Sequence, residues 1–170
     1  KDIFIYVLKF KDKTYFLRAC FLANAKRYAL RDYKKPFRSA KLGMLPPKLC
    51  QIMLNLLDDK SSVYDPFCGT GSVLMEAVLM GFKNVLASDI SQENVDGTKR
   101  NLFFMHRKFG LEFDQELFVQ DVTKEFNKDL KFRSVVTEGY LGKPLFGNEP
   151  ENFLKAQIHT VFELYESFFK

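Results

Sequence analysis

Tryptophan is absent from this chain of 170 residues, and histidine (2) and cysteine (3) are scarce. The cysteines, Cys20, Cys50 and Cys68, are odd in number and widely spaced. They match neither a disulfide framework nor a CxxC metal pair, so both are excluded and reduced thiols in or near a core are expected. His106 and His159 fall inside helical patterns and read as surface or packing residues, which leaves no expected metal site. Uninterrupted apolar runs stop well short of the roughly 18–20 uncharged residues of a membrane span. The N-terminus also lacks the apolar region of a signal peptide. A soluble, intracellular, cytoplasmic protein with no membrane partner is expected. Internal repeats and low-complexity tracts are missing too. The first residue is Lys rather than Met, so the chain reads as an excised fragment.

What is abundant is core material. Hydrophobic residues make up 46% of the chain, with 19 Phe, against 28% charged residues, so disorder is excluded. A chain of this length buries about 68–70% of its unfolded surface, enough for one sizeable core.

Acidic residues are few in the first third. Residues 1–60 hold 14 Lys/Arg against 5 Asp/Glu, whereas residues 61–170 hold 12 against 16. The densest stretch runs from Lys26 to Lys48, where Arg31, Lys34, Lys35, Arg38 and Lys41 are interleaved with Tyr28, Tyr33 and Phe37. Basic and aromatic residues mixed in this way suit phosphate contacts and base stacking. The same pattern also describes an ordinary solvated face.

Ile3–Phe10 and Thr14–Phe21 are β-rich runs that read as a hairpin turning at Lys11-Asp12-Lys13. Residues 23–44 read as a polar connector, giving an expected boundary between residues 1–44 and 45–170. After Pro46-Pro47, Leu45, Leu49, Ile52, Met53, Leu56 and Leu57 recur at helical spacing. Strands are then expected at Val63–Phe67, Asn84–Ser88, Glu116–Gln120 and Arg133–Thr137. Helices are expected at Ser72–Met80, from a cap at Ser91 to Lys108, and over Glu149–Phe169. Gly97 weakens the second helix. Leu154, Ile158, Val161, Tyr165 and Phe168 or Phe169 share one face of the third. Alternating strands and helices predict a mainly parallel, doubly wound α/β sheet.

In such a sheet ligands bind beyond the carboxyl ends of the strands. Four successive strands here end in Asp65, Asp89, Asp121 and Glu138. The first runs into Pro66-Phe67-Cys68-Gly69-Thr70-Gly71-Ser72, whose glycines permit tight turning and close ligand approach. The Gly-Lys-Ser/Thr ending of a Walker A loop is missing, as is the third glycine of a dinucleotide fingerprint. A carboxylate at Asp65 would oppose a pyrophosphate but suits a ligand carrying positive charge, such as S-adenosylmethionine. Asp89 would then face ribose hydroxyls, and Asp121 the adenine amine, with Ile90 and Val122 packing on the ring. Taken singly, each Asp is equally a helix cap or turn residue.

The run from Tyr64 to Ser72, followed by Glu76-Ala77, closely resembles the cofactor loop of class I S-adenosylmethionine-dependent methyltransferases. Its DPFCGTG form is similar to that of RNA guanine-N2 methyltransferases, including tRNA enzymes. Arg31–Pro36 and Leu42–Leu49 also look like the segment before the loop in the tRNA group. The resemblance covers about residues 28–142 and implies a Rossmann-like fold. It implies that Asp65 and the loop Gly69, Thr70 and Gly71 hold the methionine end of S-adenosylmethionine, Asp89 the ribose and Asp121 the adenine. Phe67, Ile90 and Val122 are counted with the cofactor-binding residues, and Phe67 reads equally as a stacking surface for the base or as core. The family closes its fourth strand with Asp or Asn, Pro, Pro, Tyr, where this chain has Glu138-Gly139-Tyr140. Glu138 then stands in the place of the amine acceptor and Tyr140 in that of the stacking ring. A full sheet of this family has seven strands, of which four are counted here.

The expected function is therefore methyl transfer to an exocyclic amine of a nucleic-acid base, foremost guanine N2 in tRNA, with Arg31, Lys34, Lys35, Arg38 and Lys41 contacting the nucleic acid. An activating partner subunit is a further expectation from the resemblance. A DNA amine methyltransferase, a non-catalytic S-adenosylmethionine or RNA-binding module, and a nucleotide-dependent oxidoreductase remain open as alternatives.

Overall fold

A computed structural model describes residues 4–20, 24–39, 43–126 and 129–169. The N-terminal hairpin pairs β1 (Ile5–Phe10) with β2 (Lys13–Arg18), antiparallel, with Phe10 opposite Lys13. Its turn is one residue tighter than expected, because Lys11 adopts the left-handed region (φ 52°) and Lys13 already belongs to β2. Every residue of both strands is exposed. The expected strand ends at Ile3 and Phe21 lie outside the described residues.

Residues 25–31, expected as connector, form helix α1 (Ala25–Arg31), capped by Asn24 Oδ1, which accepts from the Arg27 N–H at 3.1 Å. Helix α2 (Pro47–Asn55) starts on proline, where no backbone donor is needed. It buries Pro47, Cys50 and Leu54. The expected apolar face is thus rotated: Leu49, Ile52 and Leu56 are exposed.

The sheet consists of β3 (Ser62–Asp65), β4 (Asn84–Asp89), β5 (Asp114–Val119) and the two-residue β6 (Ser134–Val135). All pairings are parallel, in the order β5-β4-β3-β6, with Val63 opposite Val85, Leu86 opposite Glu116 and Tyr64 opposite Val135. The chain steps from β3 outward through β4 to β5, then returns to the other side of β3. That reversal beside β3 is the switch point at which such sheets open a crevice.

Helices α3 (Ser72–Leu79) and α4 (Gln92–Phe109) make the crossovers. They bury Leu74, Met75, Leu102 and Met105 against Val63 and Val85, with Leu54 of α2 and Phe82 completing the core. Side chains alternate along β3, so Tyr64 points to the opposite face. There its ring meets Phe118, Phe126 and Phe132, with centroids 5.0–6.3 Å away.

Gly97, which seemed to weaken α4, is required by packing. A Cβ there would lie 2.0 Å from the Phe37 ring. Phe37 is buried, and Asn101 holds its backbone in place: the Phe37 N–H donates to Asn101 Oδ1 at 2.8 Å, and Asn101 Nδ2 donates to the Phe37 carbonyl at 2.9 Å. Tyr28, Arg31, Lys35 and Phe37 are thus hydrogen-bonded to residues of α2, α3 and α4 and of the turn before α3.

Helix α5 (Glu151–Phe168) has no buried residue. It crosses the carboxyl ends of the strands, where Tyr165 and Phe168 meet the Phe67 ring and Ser167 Oγ donates to the Thr123 carbonyl at 3.5 Å.

Candidate cofactor and substrate site

Beyond β3 the chain turns through Gly69 (φ 50°) and Gly71 (φ 73°), both in the left-handed region. A Cβ on Gly71 would come within 2.8 Å of Thr98 Cγ2, so side chains other than hydrogen are excluded there on two grounds. The turn is bonded from several directions. The Gly69 N–H donates to Asp89 Oδ2 at 2.9 Å, Thr98 Oγ1 donates to the Gly69 carbonyl at 3.1 Å, and Asn101 Nδ2 donates to the Thr70 carbonyl at 2.8 Å. These bonds tie the loop to β4 and α4 and leave its inner side facing a cavity of about 1040 Å³.

That cavity brings together most of the residues predicted from sequence. Asp65, Phe67, Gly69, Thr70, Asp89, Ile90, Asp121, Val122, Glu138 and Tyr140 all line it. Gly71 does not; it acts from behind, as the residue on which α3 begins. Phe37, Asn94, Gln120, Lys143 and Leu164 also line the cavity and were not anticipated. Only the geometry of the loops brings them there.

The carboxylates differ in surroundings. Asp65 is 2% exposed, and burial raises its carboxyl from the usual range to about 7, with Asp89 and Glu138 adding to the rise and a hydrogen bond from the Phe67 N–H at 3.2 Å opposing it. Asp89 accepts from Gly69 N–H on Oδ2, and from Ser91 N–H at 2.9 Å and Asn94 Nδ2 at 3.0 Å on Oδ1. Each carboxylate oxygen accepts two bonds, so Oδ2 keeps one acceptor position for a hydroxyl. Asp121 Oδ1 is held by Thr123 N–H and Oγ1, and these bonds lower its carboxyl below the usual value. Glu138 is exposed on the cavity wall, and Tyr140 stands beyond it, 41% exposed.

Two of the five cations predicted to touch nucleic acid are turned inward. Arg31 is 3% exposed: Nε donates to Glu76 Oε1 at 2.5 Å and Nη2 to Oε2 at 3.2 Å. Gln51 Nε2 donates to Glu76 Oε2 at 2.6 Å while Gln51 Oε1 accepts from Tyr28 Oη at 3.0 Å, so α1, α2 and α3 share one polar network. Lys35 is also 3% exposed, and Nζ donates to Thr70 Oγ1 at 2.9 Å and Ser72 Oγ at 2.7 Å. Burial lowers its ammonium to about 8. Neither side chain faces solvent, which corrects their expected role: Lys35 braces the glycine turn through Thr70 and Ser72, and Arg31 ties α1 to α3 through Glu76. Lys34 and Arg38 are exposed. Lys41 lies outside the described residues.

Comparison with known proteins agrees with this geometry. The family model UPF0020, described as an RMKL-like methyltransferase domain, matches residues 31–139. A tRNA (guanine(10)-N2)-dimethyltransferase of Methanothermobacter thermautotrophicus is 37% identical over 110 residues, covering 64% of this chain and 30% of that protein. One of the same name from Pyrococcus abyssi is 41% identical over 80 residues, 47% of this chain and 22% of the relative. The chain thus matches no more than about a third of the length of these relatives. Among solved structures, TrmN from Thermus thermophilus superposes with a TM-score of 0.54 at 18% identity, over 98% of this chain and 43% of that one, a likeness of fold.

Proposed function

Because the chain belongs to the UPF0020 family of RMKL-like methyltransferase domains, we propose that it binds S-adenosylmethionine and methylates the exocyclic N2 amine of a guanine in tRNA. The observation that carries this reading is the convergence of Asp65, Asp89, Asp121 and Glu138 on one cavity beside the glycine turn. The names of the relatives support the choice of guanine N2 and of tRNA.

The residues present fit the cofactor. Asp65, once ionised, offers a buried carboxylate to an ammonium, and Asp89 Oδ2 keeps an acceptor for a ribose hydroxyl. Asp121 suits an amine donor, and Ile90 and Val122 supply apolar surface for a flat ring. When bound, S-adenosylmethionine supplies an electrophilic methyl on its sulfonium. The protein's share is to align the amine with that methyl and to accept its proton bond. Alignment of two reactants is where most of the acceleration in such a transfer arises. Glu138 is the acceptor in this scheme. Tyr140 gives a stacking surface for a base lifted out of its helix. Phe67, whose ring packs against Tyr165 and Phe168, forms part of the wall behind it. Lys34 and Arg38, with the exposed Lys26, Tyr33 and Lys48 nearby in sequence, provide phosphate and stacking contacts.

Incubation with methyl-labelled S-adenosylmethionine and either total tRNA or duplex DNA, followed by nucleoside identification, tests the reading. N2-methylguanosine in the tRNA arm is expected. Label in DNA alone, or tight NAD binding with no response to S-adenosylmethionine in calorimetry, would overturn it.

A further inference from the structure

The loop that carries Glu138 and Tyr140 follows a strand of only two residues and contains Gly139, so its own backbone restrains it weakly. Yet it is pinned from outside. Tyr165 of α5 donates its hydroxyl to the Tyr140 carbonyl at 3.2 Å. The same hydroxyl sits so close to Gly139 that a Cβ there would lie 2.0 Å from it and 2.8 Å from the ring carbon that bears it. Glycine at 139 is what lets the tyrosine in, and the tyrosine occupies the space a side chain would have filled.

Around this contact α5 is anchored independently. Gln157 brackets Lys143, accepting from its N–H at 2.5 Å and donating to its carbonyl at 3.1 Å, and Ser167 reaches Thr123. The ring of Tyr165 packs on Phe67, which lines the cavity. Burial and the neighbouring Glu138 carboxylate hold the phenol above its ordinary range, so it stays a donor at working pH.

Building on the proposed methyl transfer, we infer that Tyr165 is a positioning residue: its hydroxyl clamps the Gly139–Tyr140 backbone and thereby fixes where Glu138 and Tyr140 meet the acceptor base. The clamp acts through the loop and touches neither the cofactor nor the base. It belongs to the acceptor side of the cavity, so acceptor alignment should depend on it and cofactor binding should not.

Tyr165→Phe removes the hydroxyl while keeping the ring against Phe67 and leaving the Gln157 and Ser167 anchors in place. Two readouts on the 170-residue chain separate the clamp from its use. In the first, amide exchange of the peptide spanning residues 138–142 accelerates in the variant while that of β3 and β4 does not; unchanged exchange at 138–142 overturns the clamp. In the second, kcat for methyl transfer to tRNA falls about tenfold, in line with the cost of a small misplacement of reacting groups, while the Kd for S-adenosylmethionine stays within twofold. Gly139→Ala, which drives the hydroxyl away from the other side, reproduces this split. A kcat within twofold of wild type despite accelerated exchange overturns the positioning role, and so does a loss confined to cofactor binding. Wild-type protein that binds S-adenosylmethionine but methylates no nucleic acid overturns the functional proposal and the positioning role with it, and the exchange measurement still decides the clamp.

Discussion

Asp65 offers the sharpest test, because its burial makes opposite demands on stability and on binding. Its carboxyl titrates near 7 in the folded protein instead of the ordinary 3.8. Folding therefore favours its protonated form. The stability gained is complete below the unfolded value, is lost progressively as pH rises toward 7, and is flat above it. A shift of about three units corresponds to roughly 4 kcal/mol across that window, as an order of magnitude. A cationic ligand needs the ionised form. At pH 6 about a tenth of the carboxyl is ionised and at pH 7.4 about seven-tenths, while an α-ammonium with an ordinary value of about 7.8 loses roughly a quarter to a third of its charge over the same interval. The product predicts an affinity for S-adenosylmethionine about sixfold higher at pH 7.4 than at pH 6, with its maximum near pH 7.4 and a fall above it. Isothermal titration calorimetry across this range, on wild type and Asp65→Asn, reads it directly. The variant should bind more weakly at pH 7.4 and lose the rise between pH 6 and 7.4. Thermal melts of the ligand-free protein should show stability falling from pH 4 to 7 in wild type, with that slope reduced in the variant. A wild-type affinity that does not change between pH 6 and 7.4, or an Asp65→Asn protein that binds as wild type does, would refute the assignment of this carboxylate to the ligand's positive end.

Glu138→Ala should lower kcat for methyl transfer about a hundredfold, the lower end of the range for a lost proton acceptor, with cofactor affinity unchanged by calorimetry; equal loss of both would place Glu138 with the cofactor. Glu76→Gln leaves the Arg31 guanidinium buried without its countercharge and should cost about 3–5 kcal/mol in urea unfolding, whereas the double replacement of Arg31 and Glu76 by Met should recover most of it. A cost under about 1 kcal/mol for the single change would mean water reaches the pair. Gly97→Ala gains nearly 1 kcal/mol of helix propensity but pushes a methyl into the Phe37 ring, so a net loss of about 1–2 kcal/mol is expected; a more stable protein would show that Phe37 yields freely.

The sheet and the polar ends of its strands were readable because both follow from local rules: short β-rich runs, glycine turns and helix caps recur at fixed offsets, and a parallel sheet delivers its carboxyl ends to one edge. Asp65, Asp89, Asp121 and Glu138 met in one cavity for that reason. Arg31 and Lys35 were misread because charge alone says nothing about partners 45 and 37 residues further along the chain. Glu76 looked like part of a loop signature and proved to be the countercharge that seats α1. Helix α1 was missed because seven residues rich in Lys and Arg give little periodic signal. The pattern in α5 marked Tyr165 and Phe168 as one face without saying what they would meet, and Ile158 on the same predicted face is 69% exposed. Gly97 was judged by propensity, whereas its neighbour 60 residues upstream, Phe37, decides it.

The inward turn of Arg31 and Lys35 also alters how association with a polyanion should respond to ionic strength. Each phosphate neutralised by a protein cation releases condensed counterions and adds about 0.7–0.9 to the slope of log affinity against log salt. Arg31 compensates Glu76 and Lys35 is spent on two hydroxyls, so neither displaces a counterion. The segment from Lys26 to Lys48 should therefore show a salt slope shallower by about 1.4–1.8 than its composition suggests, and a larger share of its binding should come from contacts that ionic strength leaves untouched.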